Sequence, residues 1–200
     1  TGICLVSQRH PITLAKEVAT IDQLSDGRFI FGVGAGWNKP EVENHGTEFS
    51  KRWRVLRERI LAMKTIWTEE EPEFHGEFVN FEKMWSFPKP VQKGGPPIWI
   101  GSNSKYVGER VAEYGDGWLP IGGRPGDGTV ESVKAACTKR GRSYEDLDLA
   151  LFLAPLHERE LEEQLAFGYN HVVFGLPSDS REVVLPVLDK IMALKEKVLR

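Results

Sequence analysis

Three glycines at alternate positions, Gly32, Gly34 and Gly36, close a β-rich run and lead into Trp37 and Asn38. Glycine at every second residue strips one side of a strand bare, so a flat ligand or a neighbouring helix can come close. The Asn38 amide stands just beyond, where it can hydrogen-bond such a ligand. A second constellation, Gly101-Ser102-Asn103-Ser104, joins another apolar run to a helix start. Backbone N–H groups and the helix dipole at such a junction suit a phosphate, and Ser102 and Ser104 add hydroxyl donors. Ser104 also has the residue type of a helix N-cap. His10, beside Arg9 in the loop after the first strand-like run, can exchange a proton near neutral pH; a histidine before proline also serves as a structural hydrogen-bonding residue. Arg124 follows the fourth strand-like run, where it either meets an anionic group or stays solvated.

Other chemistries fit less well. A dinucleotide-binding turn needs Gly-x-Gly-x-x-Gly, and the third glycine position here is Trp37. His45, His75, His157 and His171 show no metal spacing, and Cys4 and Cys137 are far apart, so no metal is expected. The formal net charge of -3 gives no reason to expect nucleic acid or an anionic membrane surface as partner. Two cysteines with no redox or metal spacing lead to the expectation of a cytoplasmic location, and no apolar run reaches the length of a membrane span and no signal peptide is visible.

These residues sit at the ends of regularly alternating elements. Six β-rich segments recur: Gly2 to Val6, Phe29 to Gly34, Ile98 to Gly101, Trp118 to Ile121, Leu147 to Leu153 and His171 to Phe174. Helical periodicity marks Pro11 to Leu24, Trp53 to Trp67, Ser104 to Tyr114, Val130 to Arg140, Leu161 to Phe167 and Val183 to Val198. Between Pro72 and Pro97 the chain is irregular and aromatic. Phe74-His75-Gly76-Glu77-Phe78 reads there as a small hairpin, with core cover or a dimer contact as the expected role of the aromatics. Strand alternating with helix predicts an α/β fold with a parallel sheet, either doubly wound or part of a closed barrel. A complete barrel has eight strands and about 250 residues. This chain has six such segments in 200 residues, read as one domain over 1–200. Two further βα units are therefore expected before Thr1.

Several runs taken together are specific. Thr1-Gly2-Ile3-Cys4-Leu5-Val6-Ser7-Gln8-Arg9-His10-Pro11, Ala19-Thr20-Ile21-Asp22-Gln23-Leu24-Ser25, Gly32-Val33-Gly34-Ala35-Gly36-Trp37-Asn38, Pro88-Lys89-Pro90, Pro97-Ile98-Trp99-Ile100-Gly101 and Gly115-Asp116-Gly117-Trp118 occur in order. The chain thereby resembles the bacterial luciferase-like monooxygenase superfamily, and within it the branch that uses the deazaflavin coenzyme F420. The resemblance implies a (β/α)8 TIM barrel whose first two βα units are missing here, leaving six parallel strands. It implies a non-prolyl cis peptide at Gly2–Ile3, supporting the middle of a flavin-type ring. On the residue arguments and the resemblance together, Gly2, Ile3, Gly34, Gly36, Trp37, Asn38, Gly101, Ser102, Asn103, Ser104 and Arg124 are the candidate coenzyme-binding residues, with His10 the candidate catalytic residue. Glu41 also matches a frequent family position; on an early helical turn it equally suits the helix dipole. Trp37 stands where some relatives carry a catalytic glutamate, so it is read as a pocket wall and the general acid or base is left unassigned.

The expected reaction is hydride transfer between a small organic substrate and F420. The alternatives are an FMN-dependent monooxygenase using reduced flavin, dioxygen and a partner flavin reductase, and a non-catalytic flavin-binding or degenerate barrel. A homodimer is the expected assembly.

Overall fold

The computed structural model describes residues 1–120 and 129–198. They fall into two compact units: Thr1–Gly101 with Arg110–Asp116, and Ser102–Glu109 with the chain from Gly117 onward.

In the first unit, β1 (Cys4–Leu5), β2 (Phe31–Gly34) and β5 (Ile98–Ile100) are parallel neighbours in that order, with Leu5 beside Gly34 and Val33 beside Ile100. Helix α1 (Pro11–Leu24) starts on Pro11, whose missing N–H costs nothing in a first turn. Its Leu14, Ala15 and Val18 are buried, at the helical spacing read from sequence. Two helices connect β2 to β5: α2 (Lys39–Asn44) and α3 (Arg52–Thr68). The four residues of β2 are all buried, as a strand covered on both faces requires. Phe31 meets the edge of Trp67 from α3, and Trp67 donates its indole N–H to the Ala15 carbonyl of α1 at 3.0 Å. One ring thus locks strand, first helix and third helix together.

The irregular stretch holds a two-stranded antiparallel hairpin, β3 (Phe74–His75) and β4 (Asn80–Phe81), with Phe74 stacked on Phe81. The hairpin is longer than its sequence signature, because the second strand begins after Val79. Trp85 and Phe87 further along are exposed.

In the second unit, β6 (Gly117–Trp118), β7 (Asp148–Phe152) and β8 (His171–Val173) are parallel neighbours, joined by α5 (Thr129–Lys139) and α6 (Glu158–Leu165). Leu149, Ala150 and Leu151 of β7 and Val133, Ala136 and Cys137 of α5 are buried there. The closing helix α7 (Arg181–Val198) is largely exposed. Helix α4 (Val107–Tyr114) lies between β5 and β6 in sequence. It begins three residues beyond Ser104, so Ser104 is not its N-cap; the Ser104 carbonyl instead accepts the Val107 N–H in a turn at 2.9 Å. Among the described residues no helix is long and apolar enough to cross a membrane.

Candidate active site

The strand tips of the first unit carry the glycine constellation. Gly34 ends β2 and Gly101 follows β5; the Gly101 N–H bonds to the Val33 carbonyl at 2.9 Å, which sets the two glycines side by side. Their bare faces are not empty. A Cβ at Gly101 would lie 2.8 Å from Ile3 Cγ2, and one at Gly34 would run into Ile3 Cδ1. The space cleared by these glycines is therefore taken first by the Ile3 side chain. The peptide between Gly2 and Ile3 is cis, the geometry the resemblance implies. Gly2 does not lie beside the tip of β2, however: it precedes β1, and the register puts Leu5 beside Gly34. It reaches the glycine pair only through its neighbour, Ile3.

Beyond the tip of β2 the chain turns at Gly36, whose φ of +81° suits glycine alone, and a Cβ there would approach Val42 Cγ2 to 2.8 Å. The Gly36 carbonyl accepts from Arg52 Nε at 3.0 Å, and the same guanidinium stacks 3.8 Å above the Phe49 ring. Burial lowers the pKa of Arg52 from its ordinary value. Asn38 caps α2, its side-chain oxygen accepting the Glu41 N–H at 3.5 Å, with Glu41 in the first turn. Trp37 is 86% exposed. His10 is exposed at the N-cap position of α1 and makes no side-chain capping bond.

The turn after β1 is held from three sides. The Ser7 hydroxyl donates to the Ala35 carbonyl at 2.8 Å, Thr47 donates to the Ser7 carbonyl at 2.6 Å, and Arg59 donates to the Val6 carbonyl at 2.9 Å. Ser7 and Thr47 are buried. Sequence reasoning missed Thr47, Arg52 and Arg59, because each acts on backbone far away along the chain and no local pattern announces it. Two side-chain nitrogens here, Gln8 Nε2 and Arg59 Nε, are buried without a hydrogen-bond partner among the described residues. Gln8 lines a groove of about 470 Å³ along β1, walled by Leu14, Val18 and Phe29 and polar at the end formed by Gln8, Arg9 and Glu41. Cys4 opens onto the same groove. Burial pushes its thiol pKa up, Arg9 opposes the shift and Glu17 adds to it.

In the second unit Ser102 is buried; its carbonyl accepts from Trp118 Nε1 at 2.8 Å and its hydroxyl oxygen from the Ser104 N–H at 3.2 Å. Asn103 is exposed and Ser104 half-buried. The helix-start argument for a phosphate at this loop is weakened, since α4 begins only at Val107. Arg124 lies outside the described residues.

The family model for luciferase-like monooxygenase matches residues 1–177. An uncharacterised protein of Mycobacterium tuberculosis is 34% identical over 197 residues, covering 96% of this chain and 68% of that protein. The FMNH2-dependent dimethylsulfone monooxygenase of Pseudomonas putida is 32% identical, over 78% of this chain and 44% of the enzyme. The F420-dependent glucose-6-phosphate dehydrogenase of Amycolatopsis mediterranei is 27% identical, over 78% of this chain and 48% of the enzyme. The chain thus spans under half the length of both of these enzymes. Among solved structures, an F420-dependent secondary alcohol dehydrogenase in complex with an F420-acetone adduct superposes with a TM-score of 0.67 at 21% identity, covering 96% of this chain and 63% of that one. The fold is that of the luciferase-like barrels, and the chain belongs to the luciferase-like monooxygenase family.

Proposed function

We propose that the chain is part of an F420-dependent oxidoreductase that moves a hydride between a small organic molecule and the coenzyme. The observation that carries this reading is the glycine-bared face of Gly34 and Gly101 with the Ile3 side chain packed across both. An aliphatic floor between backbone faces suits a planar, largely apolar ring. The unpartnered Gln8 amide beside Gly36 leaves a polar donor available to an acceptor on a bound molecule. These residues fit a flavin-type ring; when bound, that group supplies the redox chemistry. The chain's own part is to orient and cover. Ile3, Gly34 and Gly101 set the plane of the ring, and Gln8 fixes its position by a hydrogen bond. His10, exposed beyond the tip of β1, is proposed to hold or move a proton at a substrate oxygen. Ser102, Asn103 and Ser104 of the second unit, and Arg124, which lies outside the described residues, are proposed as contacts for an anionic group.

The second reading, an FMN-dependent monooxygenase supplied with reduced flavin by a partner reductase, is favoured by the higher identity to the dimethylsulfone enzyme. Titration of the protein with F420 and with FMN, followed by fluorescence, separates the two. Saturable F420 binding with no FMN binding is the expected result. The converse moves the assignment to the monooxygenase. Failure to bind either supports a non-catalytic barrel and overturns both.

A further inference from the structure

The hairpin β3–β4 lies outside the candidate active site, and it assembles a group of side chains that no local sequence spacing announces. Phe74 pairs with Phe81 and His75 with Asn80 in antiparallel register, which sets Glu73 opposite Glu82. Glu73 and His75 flank Phe74 and share one face of the ribbon, while Phe74 and Phe81 stack on the other. One ligand atom from each of Glu73, His75 and Glu82 lies within 4.8 Å of the other two. All three side chains are exposed.

Two carboxylates directly across a strand pair repel one another. Here no lysine or arginine forms an ion pair with either among the described residues, although ion pairs are plentiful elsewhere on this surface, such as Arg57 with Glu113 and Lys139 with Glu109. The ribbon itself is fixed from behind: the Glu58 carboxylate accepts the backbone N–H groups of Glu77, Phe78 and Val79 at 3.0, 2.5 and 2.6 Å. The turn that joins the two strands is thereby held to α3, and neither Glu73 nor Glu82 has a cationic partner among the described residues.

We infer that Glu73, His75 and Glu82 form a binding site for one divalent transition-metal ion, with zinc as the fitting representative. One imidazole nitrogen and two carboxylate oxygens suit a borderline ion, whereas magnesium asks for oxygen ligands in an octahedral set. Small side-chain rotations bring the three atoms to bonding distance, and water completes the coordination. Bound there, the ion removes the Glu73–Glu82 repulsion and clamps the two strands.

Isothermal titration of the full chain with zinc chloride tests this. The expected result is one ion per chain with micromolar affinity, and no heat with magnesium chloride. His75→Ala is expected to weaken zinc binding at least tenfold, and Glu73→Gln and Glu82→Gln each severalfold; His45→Ala, a surface histidine elsewhere, leaves it unchanged. Circular dichroism shows each variant folded. Absence of zinc binding at millimolar concentration overturns the site. So does unchanged binding in His75→Ala, which would place the ion elsewhere, a result then traced with Cys4→Ser.

Discussion

The Ile3 side chain occupies the space that any side chain at Gly34 would need, so the two positions are sterically coupled across β1 and β2. Gly34→Ala is expected to overpack this point and to destabilise the fold by about 1–3 kcal/mol. Because the clash is with the far end of Ile3, Ile3→Ala should relieve it. A double-mutant cycle by urea denaturation is then expected to show that the alanine at position 34 costs much less in the Ile3→Ala background. Additive costs would separate the two residues and remove the coupling.

Tyr114 makes a different kind of prediction. Its side chain is buried, and its hydroxyl has no hydrogen-bond partner among the described residues. Burial pushes the phenol pKa well above the usual tyrosine range, with Glu113 adding to the shift and Arg110 and Arg57 opposing it. Tyr114→Phe deletes an unpaired buried polar group and is expected to stabilise the fold by about 1 kcal/mol. The sign of the pH effect follows from the same burial. The unfolded phenol ionises at its ordinary value while the folded one keeps its proton. Tyr114 therefore costs no stability through ionisation at neutral pH, and stability is lost as pH rises through the ordinary tyrosine value and beyond. Urea midpoints measured near neutrality and at about pH 10.5 should show a smaller alkaline loss in Tyr114→Phe than in the parent. An equal loss in both proteins would refute this.

Asp22 sits fully buried on α1 and accepts both the backbone N–H and the side-chain amide of Gln92, at 3.0 and 2.7 Å. The same amide also reaches the Phe29 carbonyl at 2.8 Å. One carboxylate thus fastens the irregular segment around Gln92 to the first helix. Asp22→Ala strands those donors and is expected to cost about 2–4 kcal/mol, with Asp22→Asn costing less because its oxygen still accepts. Limited proteolysis at Lys93 should accelerate in the alanine variant. Unchanged cleavage would mean that the segment is held by something else.

How much of this was legible in the sequence depends on range. The Pro11–Leu24 helix was readable to the residue, because Pro11 and a regular apolar stripe are local signals. The six β-rich segments were all identified; five overran the observed strand by one or two residues at one or both ends, and the fourth was expected from Trp118 although its strand begins at Gly117. Helix α2 was signalled only by Glu41 on an early helical turn, and its extent was not: six residues with a proline at the second position carry no apolar period. The alternate glycines were legible as a bared strand face, but what fills that face was not, since Ile3 lies far away along the chain, just before β1. The same limit hid His75. Its neighbours Glu73 and Glu82 are set by cross-strand register, and sequence spacing alone shows Glu73 but gives no reason to look to Glu82.

Gly76, in the middle of a run that sequence marks only as a hairpin, has a specific tertiary reason. A Cβ there would fall within 2.5 Å of Glu58 Cδ, so only glycine lets that carboxylate reach the turn. Glu58 then serves as acceptor for three successive N–H groups that the turn cannot satisfy internally. Removing it in Glu58→Ala is expected to destabilise the protein by about 1.5–3 kcal/mol, the range for hydrogen bonds to a charged group. The loss should be local first: amide exchange at Phe78 and Val79 should accelerate by more than at Ile60 or Met63 in the core of α3. Glu58→Gln should fall between parent and alanine variant, since an amide keeps one acceptor oxygen. Gly76→Ala should reproduce the alanine phenotype at Glu58 from the opposite side of the contact. Protected Phe78 and Val79 amides in either variant would show that the turn is held by other groups.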